Sequence, residues 1–140
     1  MYRVAIDTNV IISALRSKHG ASNQLLRLLG TDQFESVVSV PLILEYEEVC
    51  KRQMSTLDMT YQQIESFVDY ICQVSLHRKI FYLWRPQLPD ADDDFLLDLA
   101  VEAQADYIIT FNKKDFPCVD RFKIRLATPK EFMKILGVRP

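Results

Sequence analysis

At 140 residues, with 49% hydrophobic and 26% charged side chains, the chain has the composition of one globular domain able to bury a core. Only 3 Gly and a net charge of −2 argue against Gly-rich phosphate loops and against a global basic field, so nucleic-acid binding must use local patches or metal ions. Cys50, Cys72 and Cys118 have no CxxC or Cys/His spacing and read as thiols of a reducing cytoplasm, not a zinc site; no apolar run approaches membrane-spanning length.

The chain opens on Val4-Ala5-Ile6, an apolar β-forming run that ends in Asp7-Thr8-Asn9 before a second apolar run begins. This predicts a buried strand that delivers Asp7 at its C-terminal end, then a helix from Val10 to about Ser17. Arg16 to Gly20 is a polar, basic break. Ser22 is placed as the cap of a helix carrying Leu25, Leu26, Leu28 and Leu29 and stopped by Gly30. Ser36 to Val40 is the second β-rich run. Pro41 then suits the first turn of a helix from Leu42 to about Met54, with Leu44, Tyr46 and Val49 as core positions.

Residues 55–59 read as loop, with Thr60 capping an amphipathic helix Tyr61–Val74 that turns Ile64, Phe67, Val68 and Ile71 to one side. Leu76 to Leu83 fits strand or loop equally, and Arg85 to Pro89 is loop. The acids of Asp90-Ala91-Asp92-Asp93-Asp94 lead into an apolar helix through Ala103. Asp106 to Thr110 is a third buried strand, Phe122 to Leu126 a short final one, and Thr128-Pro129 opens the last helix. Strands alternating with helices imply an α/β sandwich around a parallel sheet.

Carboxylates recur where such a sheet gathers ligands. Asp7, the run Asp92–Asp94, and Asp115 with Asn112 follow strands or open helices, and Glu45 lies about one turn into the helix after the second strand. Acids converging on one edge repel one another unless cations sit between them. Hard oxygen donors of this kind suit Mg²⁺ or Mn²⁺, which also bind phosphate oxygens and support phosphodiester hydrolysis without a Ser, Cys or His nucleophile. Each acid also has an ordinary reading. Asp7 is a candidate N-cap, acids at 92–94 stabilise a helix start, Glu45 and Glu48 suit an exposed helix face, and Asp98 with Glu102 continue a solvated stripe. Asp106 and Asp120 read as turn residues, and His19 and His77 as structural or surface groups. Only the set is informative.

As a set, the D-T-N-V at Asp7–Val10, the S-x-P-x-x-x-E at Ser39–Glu45, the D-x-D-D-D at Asp90–Asp94 and the T-x-N-x-x-D-F at Thr110–Phe116 resemble the PIN domain. The resemblance runs from about residue 3 to the final helix and is closest to the toxin components of toxin–antitoxin systems. It implies one PIN-like domain over residues 1–140: a three-layer α/β/α Rossmann-like sandwich with a central parallel sheet. It also implies Mg²⁺- or Mn²⁺-dependent endoribonuclease activity, a small antitoxin partner and a homodimer.

Carried over by position, Asp7 and Glu45 match the family's first and second acids, and Asp94 matches the third, with Asp93 as the alternative. At the fourth position Asn112 stands where many relatives have Asp, which shifts the role to Asp115 and leaves open one metal ion or two. Asp7 and Asp94 are expected to bind the principal metal directly, and Glu45 and Asp115 through water. Thr8, Asn9, Thr110 and Asn112 are expected to support these groups or a phosphate oxygen. Arg16, Lys18, Lys113 and Lys114 are candidates for gripping RNA phosphates. Two other readings compete. One is a PIN-like module that binds RNA or protein without cleaving, which Asn112 favours slightly. The other is an α/β phosphatase using Asp7 as nucleophile, for which Thr8-Asn9 supplies no second acid.

Overall fold

The computed structural model describes residues 1–80, 91–117 and 119–138, with the side chains of all of these except 91–94. Five strands form one sheet: β1 (Tyr2–Ile6), β2 (Phe34–Val38), β3 (Leu76–His77), β4 (Tyr107–Ile109) and β5 (Arg125–Ala127). Their order is β3-β2-β1-β4-β5, and every pairing is parallel. Val4, Ala5, Val37, Val38, Ile108 and Ile109 are buried, as a sheet covered on both faces requires. The chain builds outward from β1 to β3 on one side and returns to add β4 and β5 on the other. The reversal lies between β1 and β4, where Val4, Ala5 and Ile6 pair with Tyr107, Ile108 and Ile109. In open parallel sheets this switch point is where a crevice opens at the strands' C-terminal ends.

The helices are α1 (Thr8–Arg16), α2 (Ala21–Arg27), α3 (Val40–Arg52), α4 (Met54–Leu57), α5 (Tyr61–Val74), α6 (Ala91–Glu102) and α7 (Pro129–Leu136). They flank the sheet in the three-layer α/β/α arrangement. Helix α6 packs on β1 and β2, α7 on β5 and α2, while α1 lies against α2 and α3. Aromatic packing seals the other end of the strands, where Phe132 of α7 stands edge-on to Phe34 at 5.6 Å and Tyr107 meets it at 5.4 Å. Among the described residues no helix is long and apolar enough to cross a membrane.

Several local predictions hold because side-chain chemistry at the element ends enforces them. Pro41 lies in the first turn of α3 as predicted, although the β-rich run ends at Val38 instead of Val40 and Ser39 caps the helix by accepting from the Leu42 N–H at 3.3 Å. Thr60 with Gln63, and Thr128 with Glu131, form reciprocal capping boxes at the starts of α5 and α7.

Other expectations need correction. Helix α1 begins at Thr8, two residues earlier than predicted, because Asp7 already occupies the cap position. Ser22 is not the cap of α2; Gly20 is, and Ser22 is buried inside the helix. Residues 55–57 belong to a helical turn, Met54–Leu57, where a loop over 55–59 was expected. Leu44 is 59% exposed instead of belonging to the core, because α3 turns Leu42, Tyr46 and Cys50 inward. The ambiguous stretch after α5 contains the edge strand Leu76–His77, whereas its residues 81–83 and the predicted loop 85–89 lie outside the described residues. Asp98 is fully buried in α6, so the solvated stripe predicted for Asp98 and Glu102 does not exist at Asp98. Leu96, Leu97, Leu99 and Ala100 are buried as well, which leaves α6 with no wet face there.

Candidate active site

Four segments reach the C-terminal edge of the central strands: the β1–α1 junction, the start of α3, the start of α6 and the segment after β4. Asp7 stands at the first junction with extended backbone, φ −66° and ψ 146°, and is the N-cap residue of α1. Its side chain nevertheless makes no cap hydrogen bond. Instead its Oδ2 accepts from the Thr110 hydroxyl at 2.7 Å. Thr110 is fully buried at the end of β4, and its Oγ1 also accepts from the Asn112 N–H at 3.0 Å. The backbone joins the same two strands: the Asp7 N–H donates to the Ile109 carbonyl at 2.9 Å, and the Thr110 N–H to Ala127 at 2.9 Å. Asp7 therefore rests on a rigid, buried platform at the switch point.

Glu45 is held in a similar way. Thr8, buried in the first turn of α1, donates its hydroxyl to Glu45 Oε2 at 2.8 Å. Next to Glu45, Tyr46 is buried and donates its phenol to the Ile6 carbonyl, one residue before Asp7. Burial pushes the Tyr46 phenol well above its ordinary range, and the neighbouring charges of Asp7, Glu45 and Cys50 raise it further. One hydroxyl thus feels both acids, which puts Asp7 and Glu45 in the same neighbourhood. Two carboxylates, each with an oxygen fixed by a threonine hydroxyl, have the donor chemistry and outer support of a hard-cation site.

The remaining acids are distributed differently. Asp93 and Asp94 belong to the first turn of α6, whose backbone is described, but their side chains lie outside the described residues, and Asp90 lies outside altogether. Among the described residues no group of three His, Cys, Asp or Glu side chains gathers to hold a metal. Asp115 is half-buried in a short 3-10 turn, Lys113–Asp115, where its N–H donates to the Asn112 carbonyl at 3.0 Å. Asn9 lines the cleft beside Thr8, and its Oδ1 is buried with no hydrogen-bond partner among the described residues.

The proposed basic grip is uneven. Arg16 donates to the Gln53 amide oxygen at 2.6 Å across the α1–α3 cleft. Lys113 is engaged with Glu131 of α7 at 2.6 Å. That contact, with backbone hydrogen bonding at Thr128, holds the Glu131 carboxyl below the ordinary range. Lys114 is exposed in the turn that carries Asp115, while Lys18 is exposed and lines a separate groove with Asn23 and Phe67.

Sequence reasoning missed Tyr46 as anything beyond a core residue, and it missed Phe111 and Gln53 entirely. The available signal for Tyr46 was its phenol: a tyrosine placed in the core beside an acid must find a hydrogen-bond acceptor.

The family model described as the PIN domain matches residues 3–114 of this chain. The chain belongs to the PIN-domain family. This PIN domain carries Asp7, Glu45, Asp94 and Asn112 within the matched stretch, and Asp115 one residue beyond it. Its fold is similar to that in the crystal structure of VapBC2 from Rickettsia felis bound to a DNA fragment from their promoter. The two are 16% identical with a TM-score of 0.60, over 90% of this chain and 98% of that chain. Among the curated proteins, no match is found.

Proposed function

We propose that this PIN domain, spanning the whole 140 residues, is a Mg²⁺- or Mn²⁺-dependent endoribonuclease that hydrolyses RNA phosphodiester bonds. The observation that carries the reading is the placement of Asp7 and Glu45 at the sheet's switch point, each held by a buried threonine hydroxyl. In this reading Asp7 and the α6 acid, Asp94 or its neighbour Asp93, hold the ion directly, and Glu45 and Asp115 act through water. A divalent ion bound there lowers the pKa of water and offsets charge on the phosphate.

The chain's own part is to orient. Thr110 fixes which oxygen of Asp7 turns toward the β4 side, and Thr8 does the same for Glu45. Tyr46 ties the start of α3 to the end of β1, so the two acids keep their spacing. Asn9 and Asn112 contribute neutral polar groups at the rim. Lys114 and Arg16 supply positive charge along the approach of a polyanion.

The resemblance to toxin components and the likeness to VapBC2 support a toxin–antitoxin setting, with a small antitoxin protein as partner and a homodimer as the working form. The free thiols of Cys50 and Cys72 support a cytoplasmic location. The second reading, a module that binds RNA or protein without cleaving it, draws on Asn112, a neutral residue at an acidic position of the family. Titration with Mn²⁺ separates the two. A nuclease binds the ion in wild type and loses it in Asp7→Asn; a binding module takes up no ion in either.

A further inference from the structure

Phe111 is 46% exposed and directly follows Thr110, the residue that holds Asp7. It borders a cleft of about 580 Å³ between α1 and α3. Ile12 and Val49 give this cleft apolar walls, and Thr8 and Glu45 are shared between it and the acid centre. At its far end the Arg16 guanidinium and the Gln53 amide meet at 2.6 Å, offering hydrogen-bond groups at the rim.

We propose that this cleft seats one unstacked nucleobase of the RNA, with Phe111 as its stacking face. The inference rests on the ribonuclease reading and goes beyond it by naming what lies beside the phosphate. A base is tethered to its own phosphate through one sugar, so a phosphate drawn to Asp7 and Glu45 brings a base to a cleft that shares Glu45. Single-stranded RNA is gripped by splayed bases stacked on aromatic and guanidinium planes, with polar groups reading the base edge. An apolar-walled slot with one exposed ring and polar groups at its rim has that composition. Phe111 and Arg16 provide the stacking surfaces, and Gln53 and Asn9 the edge contacts.

The test uses the full wild-type chain with Ca²⁺ in place of Mg²⁺, so that the acids keep a divalent ion, and intact RNA is verified by gel after each titration. Binding of a fluorescein-labelled unstructured RNA is followed by anisotropy, alongside the same RNA with a single abasic site moved stepwise along it. The proposal predicts that one abasic position weakens binding about tenfold, in the lower part of the range for a base–aromatic stack. Phe111→Ala weakens binding of the intact RNA by a similar factor and removes the penalty of that abasic position, while Phe111→Trp retains both. Phe111 is exposed, so its removal leaves the core intact. Equal affinity with and without Phe111, an abasic penalty that persists in Phe111→Ala, or no RNA binding at all overturns the subsite. Whether wild type cleaves RNA is read separately, so loss of the subsite and loss of the nuclease reading are distinguishable.

Discussion

Thr110 and Asp7 face each other across neighbouring parallel strands, and the threonine hydroxyl donates to the aspartate at 2.7 Å. The bond runs between two strand ends that are 103 residues apart in sequence, and its donor is fully buried. A hydroxyl placed this way restricts the carboxylate to one orientation before any ligand arrives, which is the usual task of a group behind a metal ligand.

Thr110→Val keeps the shape of the side chain and removes only the hydroxyl. It is expected to lower Mn²⁺ affinity about 10- to 100-fold, the ordinary cost of losing such support, with Thr110→Ser restoring most of it. Calorimetric titration of the three proteins checks this. Unchanged affinity in Thr110→Val means that Asp7 needs no such guide.

Tyr46 links the helix bearing Glu45 to the strand bearing Asp7. Tyr46→Phe leaves the Ile6 carbonyl buried without its donor and is expected to cost about 1–2 kcal/mol in urea unfolding at neutral pH. The pH dependence has a definite sign. The phenol is raised above its ordinary 10.0 in the folded state, so its contribution is fully present below pH 10. Above that pH the unfolded chain gives up the proton while the folded one keeps it, and stability falls until the folded phenol titrates. Wild type should therefore lose more stability than Tyr46→Phe as pH climbs past 10; parallel curves contradict the assignment.

How much of this was legible in the sequence depends on the range of the interaction. Asp7 could be picked out because β-formers run straight into an acid and then a helix, a local pattern. Thr60 and Thr128 were legible as helix starts for the same reason: a cap is satisfied within three residues of itself, whereas Ser39 read as part of the β-rich run before it. Leu44 and Asp98 went wrong because inward and outward faces of a helix depend on which neighbours the topology supplies. Phe111 was invisible, since an aromatic in a loop reads the same whether it closes a core or borders a cleft. Tyr46 needed knowledge that its phenol would meet Ile6, 40 residues away.

The two lysines before Asp115 should behave differently. Lys113 is occupied by Glu131, whereas Lys114 is exposed with no ion-pair partner among the described residues. Lys114→Ala is expected to reduce the slope of log affinity against log salt by about 0.7 on single-stranded RNA, and Lys113→Ala by distinctly less. Equal reductions in the two variants would put both lysines on phosphates, and a slope unchanged in Lys114→Ala would put that lysine on none.

The most direct test of a metal-dependent ribonuclease centre at Asp7 and Glu45 is cleavage of a mixed, unstructured RNA by the purified protein. Mn²⁺, Mg²⁺ and EDTA are compared, with Asp7→Asn run alongside after its folding has been verified by circular dichroism. The predicted result is cleavage that requires the ion, stops in EDTA and disappears in Asp7→Asn. Cleavage that persists in EDTA or in folded Asp7→Asn, or no cleavage by folded, inhibitor-free wild type in either ion, contradicts it.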